Sequence, residues 1–288
     1  MKQNNKFRIA VPNKGRLYQP TIDLLRDIGL EFDIDDRKLS SQVSNFDLEI
    51  LYASALNIPE YVQDGIVDLG ITGYDLVCER GADVSLLRKL HFGHTDLVIA
   101  APEQSSIKKI EDLEGKKIAT GFGHLTKKFL TKNKIKAEII DVRGAVEITP
   151  ELGLADAIAD LRSSGSSLKM NKLKALETIL ESEAVLIANK DSLVGRKNSI
   201  DTLTLRIESV LTASAKKYLM MNAHEELLPA IKDVAPGLSS PTIMKLSREG
   251  MIAVHSVVDA KDVWMIIEKL KKIGATGILI MPIDQMIY

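Results

Sequence analysis

The feature that most constrains this chain is an alternation. Through its first two thirds, short aliphatic and β-branched runs are separated by stretches of helical period. The runs are FRIAVP (7–12), LEILYA (48–53), VDLGITG (67–73), TDLVIAAP (95–102), KKIATGF (116–122), AEIIDV (137–142) and AVLIAN (184–189). Between them, residues 19–29 carry Ile22, Leu24, Leu25 and Ile28 at helix spacing, and residues 58–66 carry Ile58, Tyr61, Val62 and Ile66. Strands alternating with helices predict an α/β architecture, with largely parallel sheets buried on both faces. The stretch PEQSSIKKIEDLEGKKIAT (102–120) reads as loop, short helix, tight turn at Gly115 and a new strand. It marks a crossing into a second lobe near residues 93–100, and ESEAVLIAN (181–189) marks the return.

From about residue 203 the pattern changes. A long amphipathic helix runs into the strand around KKYLMMNA, followed by the helix EELLPAIKDVAP, the strands PTIMKLS and MIAVHSVV, the helix KDVWMIIEKLKKIGA and a last strand TGILIMPI. That order is β-α-β-β-α-β, a ferredoxin-like third domain. The predicted organisation is therefore lobe I over 1–94 and 184–210, lobe II over 95–183, and a small domain over 213–288. Met220, Met221, Trp264, Ile266 and Ile267 are expected in the core of that small domain.

Charge and cysteine content narrow the function classes. Lys+Arg number 38 against 39 Asp+Glu, a net charge of −1, so no global basic field is available to hold a long nucleic acid. An anionic ligand must be held by a local site. The one cysteine, Cys78, forms neither an intrachain disulfide nor a thiolate metal cluster, which fits a reducing cytoplasm. No apolar run approaches a membrane span and the N-terminus lacks a signal-peptide pattern, so neither membrane nor export is expected. The histidines His91, His94, His124, His224 and His255 lack the neighbours of a metal constellation and read as structural.

Three segments offer ligand chemistry. In ADAIADLRSSGSSLKMN (155–171), a helix-like run ends in Ser163, Ser164, Gly165, Ser166 and Ser167. On a helix over 154–161, Asp156 and Asp160 would share one face. Gly165 permits positive φ, and successive N–H groups can converge on one anion. A helix starting near Ser166 would add about 0.3–1 kcal/mol per anionic group. A solvated Ser/Gly linker fits the spacing equally well. In PNKGRL (12–17), Lys14, Gly15 and Arg16 follow the first strand, where ligands of open α/β sheets bind; a basic surface turn is the alternative. In DLGITGYD (68–75), Thr72 and Gly73 end a buried strand and suit a cleft, or form only a strand-to-helix turn.

Taken together, RIAVPNKGRL, DGIVDLGITGYDLV, KIATGFGHLTKKFL, RGAVEITPELGLADAIADLRSSGSSL and the C-terminal SSPTIMKL, AVHSVV and IIEKLKKIGATGILIMPID resemble the long form of the ATP phosphoribosyltransferase family, in order and across the whole chain. The resemblance implies two lobes of periplasmic-binding-protein type and a ferredoxin-like domain that binds histidine. It implies a Mg2+-dependent transfer of phosphoribosyl from phosphoribosyl pyrophosphate to N1 of ATP, the first step of histidine biosynthesis, inhibited by histidine, in homo-oligomers (dimer and hexamer). A two-lobed binding protein or sensor without catalysis is the alternative of another class.

Residue by residue, Asp160–Leu168, DLRSSGSSL, matches the family's phosphoribosyl pyrophosphate loop, close to DLVSTGATL. Ser164 and Ser167 keep hydroxyls where threonine is usual, and Arg162 replaces an apolar residue. The resemblance puts Glu147 and Asp160 at the ribose and metal side. It places Asp156, Asp160 and Ser163–Ser167 at phosphoribosyl pyrophosphate, and Lys14, Gly15, Arg16, Thr72 and Gly73 at the nucleotide. Glu147 stands in an SVE position whose serine is here Ala145, and ATGFGHL departs from a common ATSYPHL. Asn222, Ser240, Thr242 and Ala275 match the histidine site.

Overall fold

The computed structural model describes residues 6–34, 38–163 and 165–288. The first lobe begins with β1 (Arg8–Pro12), α1 (Tyr18–Asp27), β2 (Ser40–Gln42), β3 (Glu49–Ala53), α2 (Ile58–Gln63), β4 (Leu69–Gly73), α3 (Tyr74–Arg80) and β5 (Ser85–Lys89). The second holds β6 (Thr95–Pro102), β7 (Lys117–Thr120), α4 (Gly123–Lys132), β8 (Glu138–Asp141), β9 (Ala157–Arg162), α5 (Ser166–Met170) and β10 (Leu173–Ser182). The chain then returns to the first sheet as β11 (Ala184–Ala188). Strand order is β2-β3-β1-β4-β11-β5 in the first sheet and β10-β6-β9-β7-β8 in the second.

The expectation of largely parallel sheets needs correcting: both are mixed. Parallel pairing joins β1 to β3 and β4, and β7 to β8 and β9. The antiparallel strands are mainly those that carry the chain between lobes. β11 arrives from the second lobe against β4 and β5, while β6 pairs antiparallel with β9 and β10. The two crossovers are stitched to each other, with Leu90 N–H donating to the Ala184 carbonyl and Ala184 N–H to the Phe92 carbonyl, each at 2.9 Å.

β4 and β11 lie side by side and are buried along their whole length, which is why neither carries a charged residue and β11 reads as an uninterrupted apolar run. Gly70 in β4 allows α2 to sit on the sheet: a Cβ there would meet Ile58 Cγ2 at 2.6 Å and Val62 Cγ2 at 2.7 Å. Each buried Ile or Val side chain in this layer contributes about 1.5–3 kcal/mol. The second lobe has a core on each sheet face, one around Ile99, Leu113, Ile118 and Leu130, the other around Val98, Ile158, Leu168 and Leu173.

The chain divides into two compact units, Met1–Asp23 with Leu30–Ile200, and Leu24–Gly29 with Asp201–Tyr288. After α6 (Ser192–Gly195) and α7 (Lys197–Ser214), the second unit contains β12 (Lys216–His224), α8 (Leu228–Val234), β13 (Thr242–Lys245), β14 (Met251–Asp259), α9 (Val263–Ile273) and β15 (Thr276–Met281). Its sheet order is β13-β14-β12-β15, antiparallel throughout, which is the ferredoxin-like arrangement. Leu219, Met221, Ala223 and Val254 pack with Ile231, Ile267 and Leu270. Trp264 is a correction: it is 72% exposed, because Val263, Ile267 and Leu270 form the buried stripe of α9 and position 264 turns away from it. The fold is thus α/β, two periplasmic-binding-protein-like lobes followed by a ferredoxin-like domain. Among the described residues no helix is long and apolar enough to cross a membrane.

Candidate functional site

The hydroxyl-rich loop follows a strand, not a helix, and this overturns the helical reading of residues 154–161. Ala157–Arg162 is β9, held between β6 and β7, with Ala157, Ile158 and Ala159 fully buried. Ala and Leu favour helix locally, but pairing on both edges outweighs that preference. On an extended chain, positions four apart lie about 13 Å from one another. Asp156 and Asp160 therefore do not converge. Asp156 is exposed before β9, where its carboxylate accepts the Lys117 N–H at 2.8 Å. Asp160 lies in the outgoing half of the strand, two residues before its end at Arg162.

The structure brings a second carboxylate to the loop instead. Gly144 and Ala145 both adopt left-handed backbone (φ 84° and 49°), turning the chain into a single helical turn at Val146–Ile148. Left-handed geometry at an alanine is strained, of order 1–2 kcal/mol. The turn is closed by the Thr149 hydroxyl, which donates to the Val146 carbonyl at 2.7 Å. Half-buried Glu147 is thereby placed so that Oε1 accepts from Ser167 Oγ at 3.4 Å. Burial raises the Asp160 carboxyl above its ordinary range, and the Glu147 charge adds to the rise; the Leu161 N–H, 2.8 Å from Oδ1, partly opposes it. A buried carboxyl whose charged form is disfavoured, with a second carboxylate and a hydroxyl loop beside it, makes a site suited to a cation or a developing positive charge.

Gly165 takes φ 76° and heads α5, which starts at Ser166 as the sequence suggests. Ser163, Ser166 and Ser167 are exposed, and Ser164 lies outside the described residues. Arg162 is spoken for: Nη2 donates to Asp96 Oδ2 at 2.7 Å across the β6–β9 pair. Among the described residues no cluster of three or more His, Cys, Asp or Glu could hold a metal. Glu147 and Asp160 alone offer two anionic donors, so a divalent cation would take its other ligands from a phosphorylated substrate.

The remaining residues of the first lobe divide by role. Lys14 is exposed on the loop after β1, with Gly15 left-handed at φ 82°. Arg16 Nη1 donates to the Gly93 carbonyl, and Nη2 lies 3.4 Å from Asp75 Oδ1. Thr72 is buried and its hydroxyl donates to the Ala55 carbonyl at 2.8 Å, so it supports the strand end from inside. At Gly73 a Cβ would lie 2.3 Å from Asp75 Oδ1, which accounts for that glycine by packing.

Sequence reasoning missed Asp75, Ser182 and Glu79. Asp75 was visible at the end of DLGITGYD, but its burial was not. Glu79 of α3 accepts the His124 and Leu125 N–H groups at 2.8 and 2.9 Å, capping the first turn of α4 from the other lobe. No local pattern encodes that contact.

In the small domain, Asn222 on β12 pairs with Thr276, next to Ala275, which is buried in the core. Exposed Ser240 and Thr242 lie at the start of β13. β13 and β15 are opposite edges of the sheet, about 14 Å apart across three strand spacings. The four residues therefore form two groups within one chain.

A family model described as ATP phosphoribosyltransferase matches residues 54–209, and one described as the C-terminal domain of HisG matches residues 213–285. The ATP phosphoribosyltransferase of Methanosarcina barkeri is 49% identical over 287 residues, covering 97% of this chain and 99% of that protein. That of Methanocaldococcus jannaschii is 41% identical over 284 residues, covering 96% and 99%. Among solved structures, a chain of the ATP phosphoribosyl transferase (HisG:HisZ) complex from Thermotoga maritima aligns with a TM-score of 0.64 at 24% identity, covering 72% of this chain and 98% of that one, a likeness of fold. With a family model over more than half of its length and relatives above 40% identity along nearly all of it, the chain belongs to the ATP phosphoribosyltransferase family.

Proposed function

We propose that this protein transfers the phosphoribosyl group of phosphoribosyl pyrophosphate to N1 of ATP, releasing pyrophosphate, as the first step of histidine biosynthesis in the cytoplasm. The reading is carried by the Asp160–Glu147 pair beside the hydroxyl loop. In the reaction the bond from the anomeric carbon to pyrophosphate oxygen breaks as the bond to N1 forms, and positive charge develops on the ribose. Asp160 and Glu147 face that charge and the ribose hydroxyls. The N–H and hydroxyl groups of Ser163–Ser167 hold the 5′-phosphate. Lys14, Gly15 and Arg16 meet the anionic groups of the nucleotide, and Thr72 and Gly73 shape the strand end beneath it. Asp156, outside this cluster, supports β9 rather than the ligand. Catalysis is then mainly alignment, which can supply about 7–11 kcal/mol of a barrier.

A divalent cation, Mg2+ in this reading, would be held by Glu147 and Asp160 and would neutralise the departing pyrophosphate. Its effect on Asp160 is measurable. With 13C-carboxyl aspartate, the Asp160 resonance, assigned by its loss in Asp160→Asn, should titrate above the exposed aspartates in the free protein. Mg2+ with phosphoribosyl pyrophosphate should move that titration downward. Titration together with the exposed aspartates, or indifference to the ligands, would contradict the assignment.

Residues 1–94 with 184–210 and residues 95–183 serve as the catalytic lobes, and residues 213–288 as a regulatory domain at which histidine inhibits through Asn222, Ser240, Thr242 and Ala275. The chain assembles into homo-oligomers, dimers and hexamers; exposed apolar side chains on the edge strands β13 and β15, Ile243, Met244, Leu279 and Ile280, support this.

A further inference from the structure

Asp75 has the properties of a residue kept for more than packing. It is fully buried at the start of α3, and one of its carboxylate oxygens, Oδ2, has no hydrogen-bond partner among the described residues. An isolated buried carboxylate is costly, and a partly satisfied one is retained only where its surroundings return the difference. Its other oxygen, Oδ1, accepts from Ser182 Oγ at 2.6 Å and faces Arg16 Nη2 at 3.4 Å. Ser182 Oγ in turn accepts the Asp75 N–H at 2.9 Å.

The position of these partners gives the arrangement its meaning. Ser182 is the last residue of β10 and stands on one crossover between the lobes. Gly93, whose carbonyl accepts from Arg16 Nη1, stands on the other. Gly93 is left-handed at φ 65°, and a Cβ there would meet Leu17 Cδ2 at 2.2 Å and Arg16 Nη1 at 3.2 Å, so the loop after β1 rests directly on the crossover backbone. The Arg16 guanidinium is thus gripped on one side by one crossover and on the other by a carboxylate anchored to the second. Any change in the lobe arrangement that moves either crossover moves Arg16.

We infer that Asp75 is a positioning residue: it sets the orientation of the Arg16 guanidinium and ties it to both crossovers, and so tunes nucleotide affinity without touching the nucleotide. This rests on the reading that the loop of Lys14, Gly15 and Arg16 meets the anionic groups of ATP. Lysine cannot substitute for Arg16 in such a role, because only the planar fork reaches two acceptors at once. Asp75→Asn keeps the shape and the acceptor for Ser182 while removing the negative charge that attracts Arg16.

The test is a double-mutant cycle on the full-length protein, with kcat and KM for ATP and for phosphoribosyl pyrophosphate in wild type, Asp75→Asn, Arg16→Ala and the double variant. Asp75→Asn should raise the KM for ATP by about fivefold while kcat and the KM for phosphoribosyl pyrophosphate change less than about twofold. On the Arg16→Ala background the same substitution should have an effect below about twofold, since residues acting through one another are not additive. If the two single effects multiply in full, or if Asp75→Asn matches wild type, the positioning role is wrong while the reading of the site stands. If Arg16→Ala alone leaves the KM for ATP unchanged, the nucleotide assignment of the loop fails, and the inference with it. Should Asp75→Asn melt early, Ser182→Ala releases one holder of the same carboxylate. It should raise the KM for ATP in the same direction, again only when Arg16 is present, and no such shift would overturn the inference.

Discussion

Replacing Asp160 with asparagine should lower kcat/KM for phosphoribosyl pyrophosphate by about two to three orders of magnitude and, in the same protein, raise the melting temperature. Both effects have one cause. Burial and the Glu147 charge hold the Asp160 carboxyl above its ordinary pKa, so its ionised form is costly in the folded state and not in the unfolded one. The sign follows from linkage. Above the raised folded pKa the ionised group subtracts from stability in full; as pH falls below that pKa the loss shrinks, and it is gone below the ordinary carboxylate pKa of the unfolded chain. The melting advantage of Asp160→Asn should therefore be largest near neutral pH and should shrink on acidification. Activity retained within about twofold would remove Asp160 from the reacting centre, because loss of a transition-state contact costs far more. A variant that melts lower at neutral pH would mean that the carboxylate is a structural anchor.

The second large effect concerns regulation. Deleting residues 213–288 should abolish inhibition by histidine while turnover persists in the remaining chain. The deleted part carries a core of its own, with Leu219, Met221, Val254, Ile231 and Leu270 packed together, so its removal takes that core away whole. Inhibition curves for the full and shortened proteins, measured at matched substrate concentrations, decide it. Undiminished inhibition in the shortened protein would place the effector on the catalytic lobes.

The sequence carried the alternation of strands and helices well, because strands such as those at 69–73 and 184–188 are buried along their whole length and carry no charged residue to blur them. The β-α-β-β-α-β tail was equally plain, since its turns and amphipathic helices follow local rules. Legibility failed where tertiary pairing outweighed local preference. β9 is built from Ala, Ile, Asp and Leu at a spacing that also suits a helix, and its strand state comes from neighbours β6 and β7. The same error placed Asp156 beside Asp160. The strand at 173–182 went unread because its pairing with β6 includes two register irregularities that break simple alternation.

At the proposed site, motif resemblance pointed to the loop, Asp160 and Glu147, and in the structure Ser167 is hydrogen-bonded to Glu147. Arg162, where an apolar residue is usual, is ion-paired with Asp96 across the sheet, a partner 66 residues away that no local pattern announces. Asp75, Ser182 and Glu79 could not be found from sequence. Asp75 and Ser182 are 107 residues apart, and Glu79 lies 45 residues from the N–H of His124 that it caps, so only the folded topology makes them neighbours.

The central claim is catalysis by the two lobes, and the most direct test is turnover itself. Purified protein given ATP, phosphoribosyl pyrophosphate and Mg2+ should show the ultraviolet change of an N1-substituted adenine together with release of pyrophosphate, requiring all three components and lost in Asp160→Asn. Nucleotide binding with no absorbance change and no pyrophosphate would contradict the account and leave a ligand-binding protein built on the same fold.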